Sequence, residues 1–207
     1  MDLTRSKVTI DPIVLSDILL AVALTPIEIS GYGRIVRNGN ILSIVPELAI
    51  FEQQGSMGGT EFSGELESLN QASVSSWQKE MMLSGQGELI NQYRLWWHSH
   101  VYHPAVFSST DDAMMELLAE ETSDAWWLRL VANKYGRVSV SIDQFKPYRE
   151  TIKNVELRSS HPITKRSLET LMHERHERMQ RIIEEKVTVL DHDPIEMILS
   201  EFPDERD

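Results

Sequence analysis

The chain has 207 residues, a net charge of −12, 41% hydrophobic and 25% charged residues, and no cysteine. That make-up suits one globular domain of average size with an appendage. The missing thiols exclude disulfides, thiol nucleophiles, zinc ribbons, iron–sulfur clusters and the cysteine-ligated zinc deaminases. No apolar run reaches the roughly 20 residues of a membrane span, and Met1-Asp2-Leu3-Thr4-Arg5 lacks the layout of a secretory signal. The acidic balance disfavours nucleic acid as a partner, so a cytoplasmic protein with no membrane or nucleic-acid partner is expected. Any metal must be held by His, Asp or Glu.

Lys7 to Ile10 reads as a short strand. Asp11-Pro12 gives a helix cap and a first-turn proline. Apolar residues recurring at three- and four-residue steps carry that helix to Ala23, and Thr25-Pro26 ends it. Ile27 to Val36 and Ile41 to Phe51 are extended segments joined by the hairpin signal Asn38-Gly39-Asn40. Gln53 to Thr60 has the composition of a loop. A second helix is expected over Leu66 to Leu83, closed by Ser84-Gly85. Tyr93 to Trp97 reads as a buried aromatic strand, and Ser109 to Glu121 as a third helix. Trp126 to Ala132 and Arg137 to Ile142 form an expected hairpin, with a further strand over Thr151 to Leu157. Beyond the break at His161-Pro162, Thr164 to Val187 is a long charged helix, and a last short helix starts at Asp193-Pro194. Hairpins interrupt the alternation of strands and helices, so a mixed α/β sandwich is expected rather than a doubly wound sheet. The domain is placed at residues 1–158 and a C-terminal helical extension at 159–207.

One segment carries chemistry: Trp97-His98-Ser99-His100, followed after seven residues by Ser108-Ser109-Thr110-Asp111. On an extended backbone the two imidazoles point the same way, and an Asp in the first turn of the next helix adds an oxygen. Three ligands of N, N, O type with a fourth position open describe a catalytic zinc site rather than a structural one. Zinc lowers the pKa of bound water towards ~7. The candidate proton acceptor is Glu28, an acid in an otherwise apolar stretch, followed by Gly31, which leaves room beside a site. Its pKa is expected to be raised by desolvation and lowered again by the metal.

The set Glu28, His98, His100, Ser108 and Asp111 resembles the JAMM motif of the MPN+ metalloproteases, zinc-dependent enzymes that cut ubiquitin and related modifiers from proteins. The resemblance covers roughly residues 5 to 145. Trp96-Trp97 and the Asp11-Pro12 helix are similar to family features. Val101 and Leu95 stand where the family commonly has Pro and Gly. The resemblance implies a three-layer, cytidine-deaminase-like sandwich with a curved central sheet flanked by helices. It implies one catalytic Zn2+ held by His98, His100 and Asp111. Glu28 would move the proton from water to the leaving amine, and Ser108 would donate to the oxyanion, a contact typically worth ~10²–10³ in rate. The implied reaction is hydrolysis of an isopeptide or peptide bond after the C-terminus of ubiquitin or a ubiquitin-like modifier. Loops at residues 53–62 and 144–151 are where insertions would hold that modifier. Alternatives are a non-catalytic MPN scaffold in a larger complex, and a JAMM peptidase releasing the tail of a small sulfur-carrier or phage structural protein.

Blander readings apply to several residues. Ser108 and Asp111 also suit a helix cap. His103 reads as a solvated loop residue, and His173 and His176 as a solvated helix face. The four paired tryptophans read as core on both faces of adjacent strands. Leu168, Leu171, Met172, Met179, Ile182 and Ile183 form one stripe of the 164–187 helix. Packing on the domain is the default for it, and a homodimer or partner contact the alternative.

Overall fold

The computed structural model of the chain describes residues 3–55, 64–121 and 125–189. The expected helix from Asp193 and most of the 53–60 loop lie outside these residues.

Strand β1 (Lys7–Ile10) leads into helix α1 (Pro12–Leu24). Asp11 starts the helix by accepting the Ile13 N–H at 2.8 Å, one of the donors a first turn leaves unpaired. Thr25 ends it, its hydroxyl donating to the Ala21 carbonyl at 2.9 Å. Strands β2 (Ser30–Asn38) and β3 (Ile41–Ile50) form a hairpin across Gly39-Asn40, with Gly39 at φ +60°, a left-handed value that glycine adopts without a Cβ clash. The pairing of β2 with β3 shifts register between Gly33 and Ile35, and Pro46, which has no N–H for a ladder, lies in the irregular part of β3.

Then follow β4 (Gln53–Gly55), α2 (Gly64–Leu83), a 3₁₀ turn at Gly87–Gln92, β5 (Tyr93–Ser99), α3 (Ser109–Glu121), β6 (Trp126–Ala132) and β7 (Val138–Gln144). The described chain closes with β8 (Glu150–Ile152), β9 (Leu157–Ser159), α4 (Lys165–Lys186) and β10 (Val187–Val189).

The architecture is α/β, with an eight-stranded mixed sheet in the order β8-β7-β6-β5-β2-β3-β1-β9 and a separate parallel pair of β10 with β4. In the large sheet β5 runs parallel to β6, and β1 runs parallel to both β3 and β9. The expected strand over Thr151 to Leu157 is instead two strands, β8 and β9, on opposite edges of this sheet. Eight flat strands at about 4.8 Å spacing would hold those edges about 34 Å apart. The five residue steps from Ile152 to Leu157 span at most about 18 Å. The sheet is therefore rolled until its edges approach, and the short link ties them together.

The largest apolar cluster draws on both rims of the roll. Val8, Ile142, Leu128, Leu130, Leu95 and Trp97 pack there with α1 and with Met179 and Ile183 of α4, and Ile152 and Leu157 lie against it. On the other face Trp96 and Trp127 pack against Met115 and Leu118 of α3, and Phe51 and Tyr93 pack with Trp77 of α2. The paired tryptophans thus divide between the faces of neighbouring strands β5 and β6. Helix α4 lies on α1, held by a two-pronged ion pair of Arg175 with Asp17 at 2.5 and 2.7 Å. Among the described residues no helix is long and apolar enough to cross a membrane.

Candidate metal centre

The site forms where β5 ends. His98 shares a face with Trp96, and its ring stacks on that indole at 4.4 Å and 19°. His100 follows two residues on, its backbone N–H donating to the Ala132 carbonyl at 2.9 Å, so the extended course of the chain carries it past the strand end. The two Nε2 atoms meet at 3.1 Å.

Asp111 comes from the first turn of α3. Its Oδ1 lies 2.9 Å from His98 Nε2, and its Oδ2 lies 3.5 Å from His100 Nε2. The same carboxylate accepts the Ser108 N–H at 2.6 Å and the Ser108 hydroxyl at 2.9 Å, while Ser108 Oγ accepts the Asp111 N–H at 3.3 Å. This reciprocal cap fixes the turn that presents Asp111. The cap and a group able to hold an ion therefore share this turn. In this arrangement the Ser108 hydroxyl donates its hydrogen bond to Asp111.

His98, His100 and Asp111 are 6%, 8% and 5% exposed, and among the described residues they alone bring three such ligand groups to one point. Their fit to an ion can be tested from geometry. Atoms bound at about 2.0–2.1 Å with tetrahedral angles lie about 3.3 Å apart. The two imidazole nitrogens are 3.1 Å apart, each has a different Asp111 oxygen near it, at 2.9 and 3.5 Å, and one ligand atom from each residue lies within 4.8 Å of the others. The donor set of two imidazoles and a carboxylate suits a divalent transition metal.

Burial holds His98 below the ordinary imidazole range, even against its hydrogen bond with Asp111, so its ring stays neutral. The hydrogen bond with Asp111 raises His100, and burial opposes it. Burial alone would raise Asp111, but the hydrogen bonds of His100 and His98 outweigh it and hold the carboxyl below the usual range. His98 Nδ1 is buried without a hydrogen-bond partner.

Glu28 lies two residues before β2 rather than on it, and it is half-buried. Ser30 pairs with His98, and the strands stay together beyond that point. Ser99 N–H donates to the Ile29 carbonyl at 2.9 Å, and Ser99 Oγ accepts the Ile29 N–H at 2.9 Å. Continuing that register sets Glu28 alongside His100, and its charge raises the proton affinity of both histidines. Gly31 has a different reason from the one expected. A Cβ there would lie 2.4 Å from the Ala49 carbonyl oxygen and 2.9 Å from Trp97 Nε1, so it serves strand packing.

His103, His173 and His176 are exposed and outside the cluster. The loop after His100 is held by residues whose part was not legible in the sequence. Buried Asn133 donates to the His103 carbonyl at 2.9 Å, Ser139 donates to the Ala105 carbonyl, and Lys134 N–H donates to the Val101 carbonyl at 2.8 Å. These bonds hold Val101 at φ +30°, a strained value for a β-branched residue that a proline ring could not adopt.

No family model matches the chain, and no curated protein matches it. Among solved structures, the protein DSY2949 from Desulfitobacterium hafniense is similar over 75% of this chain and 94% of its own length, at 16% identity and a TM-score of 0.45.

Proposed function

We propose that this protein is a zinc-dependent hydrolase of the JAMM/MPN+ type, cutting an isopeptide or peptide bond after the C-terminus of ubiquitin or a ubiquitin-like modifier. The observation that carries the reading is the meeting of His98 Nε2, His100 Nε2 and the Asp111 carboxylate in one buried cluster, with the charge of Glu28 acting on both rings. Zinc bound there supplies Lewis acidity and makes hydroxide accessible at neutral pH.

The chain's own residues supply the rest. His98 offers neutral nitrogen, His100 does so once it gives up the proton that Asp111 favours, and Asp111 offers an ionised oxygen already oriented by the Ser108 cap. Glu28 accepts a proton from the attacking water and returns it to the leaving amine, a role suited to a half-buried acid at the rim of the cluster. Ser108 serves the oxyanion once its hydroxyl turns away from Asp111.

Metal analysis of wild type and His98→Ala tests the site. One equivalent of zinc in the first and none in the second is expected, and retention in the variant rejects the assignment. Incubation with a panel of ubiquitin-like proteins bearing C-terminal extensions tests the reaction. Zinc binding without cleavage of any of them would leave a non-hydrolytic metal protein.

A further inference from the structure

We propose that Arg129 is a positioning residue for Asp111, acting through Asp112 and Phe107; this rests on the metal-binding reading above. Arg129 is 1% exposed, and a guanidinium is costly to bury without partners. It stands on β6 opposite Trp96 of β5, on the face that carries His98. Its Nε–H donates to Ser141 Oγ at 2.8 Å and lies 2.9 Å from Asp143 Oδ2, which anchors it to β7. The other end of the fork reaches the start of α3. Nη1 donates to Asp112 Oδ1 at 2.6 Å, and the guanidinium centre lies 4.4 Å from the Phe107 ring.

Phe107 and Asp112 bracket the segment that holds Ser108 and Asp111, and the Phe107 ring also stands 6.2 Å from that of His98. One buried guanidinium therefore grips both ends of the turn that delivers the carboxylate. Successive helical residues point about 100° apart. Holding Asp112 towards Arg129 sets the rotation of the turn and aims Asp111 at the two imidazoles. Lysine, a single point charge, cannot reproduce a fork that bonds Ser141 and Asp112 while lying over Phe107.

The test is a Zn2+ titration in competition with a chromophoric chelator, together with the absorption spectrum of the Co2+-loaded protein. Asp112→Ala is expected to weaken zinc binding about 10–100-fold and to alter the Co2+ bands, with the metal-free protein less stable but still folded, since Arg129 keeps Ser141 and Asp143. Asp112→Asn removes the same charge but keeps an acceptor oxygen, so it should recover most of the affinity. Folded Arg129→Met should lose at least as much as Asp112→Ala, and Arg129→Lys should not restore it. Equal losses in Asp112→Ala and Asp112→Asn would mean that charge alone acts, and would overturn the proposal. Tight zinc binding that is lost in His98→Ala but unchanged in Asp112→Ala overturns this inference and leaves the metal site intact. Absence of zinc binding by wild type overturns both.

Discussion

The Nδ1–H of His100 donates to the carbonyl oxygen of Pro104 at 2.9 Å. A carbonyl can only accept, so the neutral ring keeps its proton on Nδ1, and Nε2, which faces His98 and Asp111, is the nitrogen that gives up its proton to become a ligand. The strained loop after His100 thus has a chemical effect, because it brings the Pro104 carbonyl back under the ring. Four consequences of the site and its supports are open to measurement.

Zinc uptake should release protons at pH 7, because the hydrogen bond with Asp111 raises His100 above its ordinary value of 6.5 and the metal must displace that proton. Affinity therefore falls as pH is lowered, beginning above 6.5. In the metal-free fold the raised His100 stabilises fully below 6.5, and this contribution is lost as pH rises through the folded value. His98 has the opposite sign: burial lowers it, so its cost to stability appears as pH falls below 6.5. Calorimetric zinc titrations in buffers of different ionisation enthalpy count the protons, and finding none released at pH 7 contradicts this account.

Glu28→Gln should separate binding from turnover. The variant keeps its zinc, since Glu28 is outside the three-ligand cluster, but loses proton transfer, which is typically worth ~10²–10⁴ in rate. Zinc content and cleavage of a tailed ubiquitin-like protein are measured on the same preparation. Unchanged cleavage removes Glu28 from the mechanism.

Ser108→Ala should cost about 1 kcal/mol of stability through loss of the α3 cap, read from the urea midpoint. It should also cost ~10²–10³ in turnover through loss of a donor to the oxyanion. A variant that shows the first loss without the second assigns Ser108 to the cap alone.

Arg175→Ala should destabilise the fold by about 3 kcal/mol, because it strands Asp17, which is 9% exposed, without a counter-charge. Zinc affinity should not change, since this pair joins α1 to α4 on the face of the sheet opposite His98. Denaturant unfolding and a zinc titration together check both halves.

Much of this organisation is legible in the residues themselves. The bounds of β1, α3 and β6 follow the expected ones, because Asp11-Pro12, the Ser108 cap and the tryptophan pairs are strong local signals. The meeting of His98, His100 and Asp111 was readable from spacing, since a period of two on a strand and a capped first turn fix where side chains point. The division of residues 150–159 into β8 and β9 was not readable. Its cause is non-local: Ile152 pairs with Ile142 while Leu157 pairs with Val8. The same holds for β4, whose partner β10 lies near the far end of the described chain. Arg129 and Asn133 were equally hidden, because a buried arginine within a strand or an asparagine just beyond it declares itself only through the groups it meets.

The rolled sheet also bears on how the chain acquires its structure during synthesis. Strand β1 has β3 on one side and β9 on the other, and β9 leaves the ribosome only after the whole segment that bears His98, His100 and Asp111. Strand pairings so distant in sequence form slowly. Strand β9 joins last, so a nascent chain halted before residue 157 would carry His98, His100 and Asp111 on a sheet still missing one edge strand.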